Sequence, residues 1–371
     1  MRITDVQAIP LTIPLRSMQP ASGWSNWSGK QIIIRVLTDG GVSGVGETFA
    51  YGAPLGICNV IEDGLRPVLI GQDPTRIEYL TDLMQRCTVN YGRRGLGLYA
   101  VGGVEIALWD LRGKILQVPL CDLLGGLVRP KLPAYASMMR YDSPADVARA
   151  CERLVAAGFT MLKLHQTDVE SVRAARAAVG PEIGLMLDAN CPWSPTEAIA
   201  IARELEPCNL LWLEEPVWPP EDYDGLARVR RATSIPIAAG ENEATVYGFR
   251  ALLAKDAIDV LQPDVAKVGG IGEMKKVLAL IQAANLPVAL HSWFYGPALA
   301  ATLHVAAAMG GTMPVEIAEG ELERSSLTEP PLAHAGWISP PAGPGLGVQL
   351  DEETLRRYPY QAGASKPFLL R

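Results

Sequence analysis

Between Gly184 and Asn242 the chain repeats one pattern: a short apolar run that stops at an acid. GLMLDAN reaches Asp188, with Asn190 just beyond. LLWLEEP reaches Glu214 and Glu215, and IPIAAGEN reaches Glu241 and Asn242. An apolar run closed by a carboxylate reads as a buried parallel strand whose C-terminal end carries a functional group. Helix-like segments with start and stop signals separate the acids. Such units in succession predict an α/β barrel with carboxylates around one mouth. Three hard oxygen ligands converging there would hold Mg²⁺.

The alternation extends well beyond that run. From residue 131 onward, apolar segments end at Ser137, His165, Asp188, Glu214, Glu241, Asp264, His291 and Glu316. Successive ends are roughly 23–28 residues apart, the length of one βα unit of a barrel. An open doubly wound sheet rarely runs so evenly. Intervening helices are expected from Ser143 to about Ala157, Val169 to Val179, Thr196 to Leu205, and Tyr223 to Arg231. Further helices are expected from Ala244 to Lys255, Ile271 to Asn285, and Pro297 to Met309.

Upstream the pattern differs. Residues 1–14, 30–38 and 42–48 read as strands, the last two joined by a turn at Asp39-Gly40-Gly41. Helices are expected near 56–70, 75–88 and 98–117. The predicted organisation is an α+β domain over 1–125, a barrel over 126–325, and a Pro- and Gly-rich segment over 326–371 that packs back on the first domain.

A chain of 371 residues has room for both domains. Its net charge of −7 and lack of a basic cluster argue against nucleic acid or an anionic membrane as partner. None of the six cysteines forms a CxxC pair, so reduced thiols in a cytoplasmic protein are expected, with Cys191 structural. The start, MRITDVQAIPLTIPL, alternates like a strand and not like a signal peptide. No apolar run reaches the ~18 residues needed to span a bilayer.

The strand ends can be read chemically. Lys163 and His165 are two apart on a strand, so both face the barrel interior. A lysine there needs an anion. Three converging carboxylates repel one another unless a divalent cation joins them, and an all-oxygen set favours Mg²⁺ over Zn²⁺. Asp264 and His291 close neighbouring strands; a carboxylate beside an imidazole sets its tautomer and raises its basicity. These groups around one cavity suit removal of a proton α to a carboxylate, with metal and Lys163 stabilising the dianionic enolate. One such electrostatic contact is worth roughly 10²–10³ in rate. Alternation turns Glu215 outward, His304 and His334 read as core or surface groups, and Arg93 and Arg94 receive no role. Trp24 and Trp27 lie in an early loop suited to closing over a substrate.

With GVEIALWDLRGKILQVPLCDLLGG at 103–126, then LDAN, WLEEP, GEN, QPDVAKVGG and the LHS around His291, the chain resembles the enolase superfamily, mandelate racemase subgroup. The resemblance covers essentially the whole chain. It implies a modified TIM barrel, (β/α)7β, under an α+β capping domain, with Mg²⁺ on Asp188, Glu214 and Glu241. It implies a His291–Asp264 dyad, and Glu316 hydrogen-bonded to the enolate. It places Ser137, Lys163 and Asn190 around the substrate carboxylate or metal, with the Trp24–Trp27 loop above; Lys267, beside Asp264 at its strand end, is a further substrate-binding candidate. It also implies a homo-oligomer, from dimer to octamer. One position departs: the subgroup's Lys-x-Lys reads Lys163-Leu164-His165 here. The expected function is a Mg²⁺-dependent hydro-lyase acting on an acid sugar or related hydroxycarboxylate. The alternatives are a two-base racemase or epimerase and a catalytically silent regulatory homologue.

Overall fold

The computed structural model describes residues 1–16, 28–310 and 314–363. Its first layer is an antiparallel sheet of β1 (Ile3–Pro14), β2 (Ser28–Thr38) and β3 (Ser43–Thr48), in that order. Helix Leu96–Leu116 lies across it so closely that two glycines are required. A Cβ on Gly44 would sit 2.0 Å from the Ala107 carbonyl oxygen, and one on Gly46 2.3 Å from that of Gly103. The helix expected over 56–70 is instead three short pieces, Pro54–Asn59, a π-turn at Val60–Leu65, and Arg66–Leu69. Pro67 explains the break: it has no N–H and its ring crowds the preceding turn.

The second layer is parallel. β4 (Leu132–Ser137), β5 (Met161–Leu164), β6 (Gly184–Asp188), β7 (Leu210–Glu214), β8 (Ile237–Ala239) and β9 (Val260–Leu261) pair in succession, and β10 (Val315–Ala318) pairs back to β4. Two bridges, Leu261 to Val288 and Leu290 to Val315, join β9 to β10 and close the circuit. The full strands expected over 258–264 and 286–291 are therefore shorter than anticipated. Pro263 and Pro287 supply no ladder donor, and the chain leaves the sheet beside each. Tyr135, Met186, Trp212, Ala238 and Ala289 form a buried layer inside the barrel. Each of the first three lies two residues before a strand-end polar group, so this layer is the floor of the mouth.

Helices with a local start signal are close to expectation. Ser143 caps Pro144–Ala156 by accepting from Asp146 N–H, and Ser194 with Glu197 forms a capping box on Pro195–Leu205. The helix Ile271–Ala283 has no cap of its own. Glu105 of helix Leu96–Leu116 supplies one, accepting from the N–H groups of Ile271 (2.7 Å) and Gly272 (2.8 Å) and from Trp109 Nε1 (2.7 Å).

The C-terminal segment touches both layers. β11 (Trp337–Ile338) pairs antiparallel with β4. Farther on, Thr12 N–H donates to Tyr358 O and Tyr360 N–H to Pro10 O. Leu322, Leu355 and Tyr358 pack with Leu11, Ile13 and Ile33. His304 is a core group, as expected: it accepts from Cys121 N–H and meets Leu346 O at 3.1 Å, and burial lowers its pKa to about 4. Among the described residues, no helix is long and apolar enough to cross a membrane.

Candidate active site

Asp188 ends β6, Glu214 ends β7, and Glu241 lies two residues beyond β8. One oxygen from each falls within 4.8 Å of the others. Three buried carboxylates this close cannot all remain ionised without a cation. Burial and the charge of Asp188 push Glu214 well above the usual carboxylate range. Burial also acts to raise the other two, but neighbouring cations win. Lys163 and His165 hold Asp188 at about 2, and His291 and Lys267 hold Glu241 well below the usual range.

Lys163 is fully buried, and its ammonium uses three donors on three carboxylates. Nζ lies 3.2 Å from Asp188 Oδ2, 2.9 Å from Glu214 Oε1 and 2.8 Å from Glu316 Oε1. Burial alone would lower its pKa; Glu214, Glu316 and Asp188 raise it well above the usual lysine value. Two residues on, His165 places Nδ1 2.5 Å from Met138 O and Nε2 3.2 Å from Asp188 Oδ2. The indole of Trp293 meets its ring edge-on at 5.3 Å.

The opposite side of the cluster belongs to His291. Its Nδ1 is 2.5 Å from Asp264 Oδ2, and its Nε2 is 3.0 Å from Glu241 Oε2 and 3.7 Å from Glu316 Oε2. Burial pulls this imidazole's pKa down, but Glu241, Glu316 and the Asp264 bond carry it well above the ordinary value. Asp264 is itself oriented, because its Oδ1 accepts from the N–H groups of Ala266 (2.8 Å) and Lys267 (3.0 Å). Glu316 bridges both sides through Lys163 and accepts from Ser292 N–H at 2.9 Å.

Other expected positions fall around this cluster. Lys267 Nζ reaches Glu241 Oε1 (3.0 Å) and Asn242 Oδ1 (2.9 Å) and sits 4.7 Å over the ring of Phe49. Asn190 donates its N–H to Asp188 Oδ1, and its buried side-chain oxygen has no hydrogen-bond partner among the described residues. Ser137 is fully buried at the end of β4. Trp24 and Trp27 lie outside the described residues. Glu215 is buried beside the cluster, accepting from Asn242 Nδ2 (2.8 Å), the residue that also meets Lys267, and from Cys191 Sγ (3.3 Å).

Two supports lie outside the expected set. Gln262 Nε2 (2.7 Å) and Trp212 Nε1 (3.0 Å) both donate to Glu214 Oε2. The sequence does carry a signal for them, since each lies two residues before a strand-end acid and so faces the same cavity. Arg94, given no role, binds Glu243 Oε1 at 2.5 Å and Glu221 Oε1 at 3.4 Å, well away from its own chain neighbourhood. No local pattern announces that contact.

The chain is similar to known proteins along most of its length. Residues 5–125 match the mandelate racemase/muconate lactonizing enzyme N-terminal domain, and residues 146–354 the enolase C-terminal domain-like family. A D-galactonate dehydratase of Ralstonia pickettii is 36% identical over 86% of this chain and 89% of its own. A D-galactarolactone cycloisomerase of Agrobacterium fabrum is 33% identical over 88% of this chain and 90% of its own. The crystal structure of 3,6-anhydro-D-galactonate cycloisomerase from Zobellia galactanivorans superposes with a TM-score of 0.88 at 31% identity, covering 97% of this chain and 100% of that one. Acids at strand ends, a lysine among them and a His–Asp pair opposite thus sit on a fold shared along nearly the whole length: the chain belongs to the enolase superfamily, within the mandelate racemase/muconate lactonizing enzyme family.

Proposed function

We propose that this protein is a Mg²⁺-dependent acid-sugar dehydratase. The observation that carries the reading is the placement of two imidazoles, His165 and His291, on different carboxylates of one buried cluster. The residues fit the ion. Asp188, Glu214 and Glu241 offer only oxygen, as Mg²⁺ prefers, with one oxygen of each within 4.8 Å of the others. When bound, the ion supplies Lewis-acid polarisation of the substrate carboxylate.

The chain's own residues do the rest. Lys163, held as an ammonium by three carboxylates, is a fixed positive charge for the developing enolate and not a base. That leaves His165 to take the α-proton through Nε2: its Nδ1 is held by Met138 O, and Nε2, which faces Asp188 Oδ2 at 3.2 Å, gives up that contact when it accepts the proton. His291, whose proton is retained by its carboxylate neighbours, gives that proton to the β-hydroxyl from Nε2. The α-C–H pair becomes a C=C bond, the β-C–O bond breaks, and water leaves. The enol product tautomerises to a 2-keto acid. Glu316 and Lys267 orient the two sides, and Ser137 and Asn190 line the substrate carboxylate. The similarity to D-galactonate, arabinonate and D-xylonate dehydratases supports this reaction class.

The same pair of imidazoles supports a second reading, two-base epimerisation or ring isomerisation through the same enolate; cycloisomerases stand among the relatives. Incubating a panel of sugar acids with Mg²⁺, and assaying for a semicarbazide-reactive carbonyl, separates the two. The dehydratase reading requires keto acid. Exchange of the α-hydrogen with D₂O and no carbonyl product selects the second reading.

A further inference from the structure

One carboxylate of the capping sheet is buried near the dyad, and among the described residues no cation pairs with it. Glu47, on β3, is 1% exposed. Its Oε1 accepts from Gln31 Nε2 at 2.7 Å, and its Oε2 accepts from Ala298 N–H at 3.0 Å. Ala298 stands in the first turn of helix Pro297–Ala308, so a residue of the cap closes the N-terminus of a barrel helix. The fit is close. A Cβ on Gly296 would come within 2.8 Å of both Glu47 Oε2 and Gln31 Nε2. Burial pushes the Glu47 carboxyl up to about 7, against the pull of these donors.

The segment from His291 to Ala298 is thereby tied at both ends. Near its start, Ser292 N–H is held by Glu316; at its end, Ala298 N–H is held by Glu47. Between them, Trp293 meets the ring of His165 and hydrogen-bonds Tyr51 of the cap, while Tyr295 donates to Glu319 O. Beyond Glu47 the cap strand runs directly into Phe49 and Tyr51, and Phe49 lies under Lys267. One side chain therefore connects the cap wall of the cavity to the loop that carries an imidazole and an indole of the barrel wall.

We propose that Glu47 is a positioning residue that couples the seating of the cap to the placement of His291 and Trp293. The proposal rests on the reading of His291 as the proton donor, and its test has one arm independent of that reading. In Glu47→Leu both acceptors are removed, and Gln31 Nε2 and Ala298 N–H lose their shared partner. In Glu47→Gln both contacts survive without the charge: the amide oxygen keeps Ala298 N–H, and the NH₂ donates to Gln31 Oε1, unpartnered among the described residues, once the Gln31 amide flips.

The test is amide hydrogen exchange of the Mg²⁺-treated full chain, read by mass spectrometry over 291–298 and, as control, over 315–318. Glu47→Leu is expected to speed exchange in the first segment about tenfold or more, leaving β10 unchanged, and Glu47→Gln is expected to stay near the wild type. With a sugar acid turned over by the wild type, kcat falls about tenfold or more in Glu47→Leu while KM moves much less, and Glu47→Gln keeps most of the activity. Unchanged exchange over 291–298 in Glu47→Leu, or an equally large kcat loss in Glu47→Gln, overturns the proposal. Absence of wild-type turnover on the panel counts against the dehydratase reading alone, because the exchange measurement still decides the coupling.

Discussion

Replacing Asp264 by Asn tests the division of labour between the two imidazoles. In the native site Asp264 Oδ1 is occupied by the N–H groups of Ala266 and Lys267, and Oδ2 faces His291 Nδ1 at 2.5 Å. An asparagine must keep its oxygen toward those two backbone donors, so its NH₂ group turns to His291. Nδ1 then has to accept, and the imidazole can no longer hold protons on both nitrogens. As a neutral ring protonated on Nε2 it is a very weak acid. The lost charge-assisted bond is worth about 1.5–3 kcal/mol, roughly ten- to 150-fold in rate. Complete loss of the general acid extends this to about 10⁴. The assay follows keto-acid formation and α-hydrogen exchange in D₂O on the same substrate. Elimination should fall by roughly 10²–10⁴ while exchange, driven by His165, falls much less. The ratio of exchange to elimination therefore rises. Equal loss of both reactions would refute the assignment of His291 as acid, and a variant within about threefold of wild type in both would refute the dyad altogether.

Other perturbations reach the same network. Lys163→Met leaves Asp188, Glu214 and Glu316 without their shared cation, and should destabilise the metal-free protein by about 3–5 kcal/mol, with recovery on adding Mg²⁺. An unfolding curve that does not move would contradict that picture. Mg²⁺ at about one hundred times its Kd should stabilise the wild type by about 2.7 kcal/mol, and Glu214→Gln should remove most of the gain; equal thermal shifts in both would place the ion elsewhere. Glu105 offers a pH test. Burial raises its carboxyl from 4.5 to about 7 despite the donors of Gly272, Ile271 and Trp109. A raised acid favours the folded state only while protonated, so its contribution is full below the unfolded value and is lost as pH rises through about 7. The loss amounts to roughly 3 kcal/mol for this group. Glu105→Gln lacks that dependence, and its stability relative to wild type should improve between about pH 5 and about pH 8. Parallel stability–pH curves would show that Glu105 does not titrate in this range.

Much of the site is legible in the order of residues along the chain, and the reason is geometric. A strand has a period of two, and barrel strands deliver their C-terminal ends to one mouth. Any polar group that ends an apolar run is therefore a candidate, which is why Asp188, Glu214, Glu241 and the Lys163–His165 and Asp264–His291 pairs stand out. The strand lengths are less legible. β9 is two residues long because a proline follows soon after it, while the apolar pattern runs on past the point where pairing stops. In the cap, Pro67 similarly marks where a continuous helix does not form, although hydrophobic periodicity suggests one.

Local spacing along the chain is enough to point to an α/β barrel with polar groups at its strand ends, because both follow from strand and helix periods. Which charges meet is settled only by the folded arrangement of the strands. That Lys163 is shared by three carboxylates, and is thereby kept an ammonium, depends on strands that come together only when the barrel closes. That Gln262 steadies Glu214 depends on a contact 48 residues away, and that Glu47 caps a helix 251 residues on depends on how the cap lies over the barrel. The physical reason is the same in each case: a buried polar group must find a partner, and the fold, not the neighbouring sequence, supplies it.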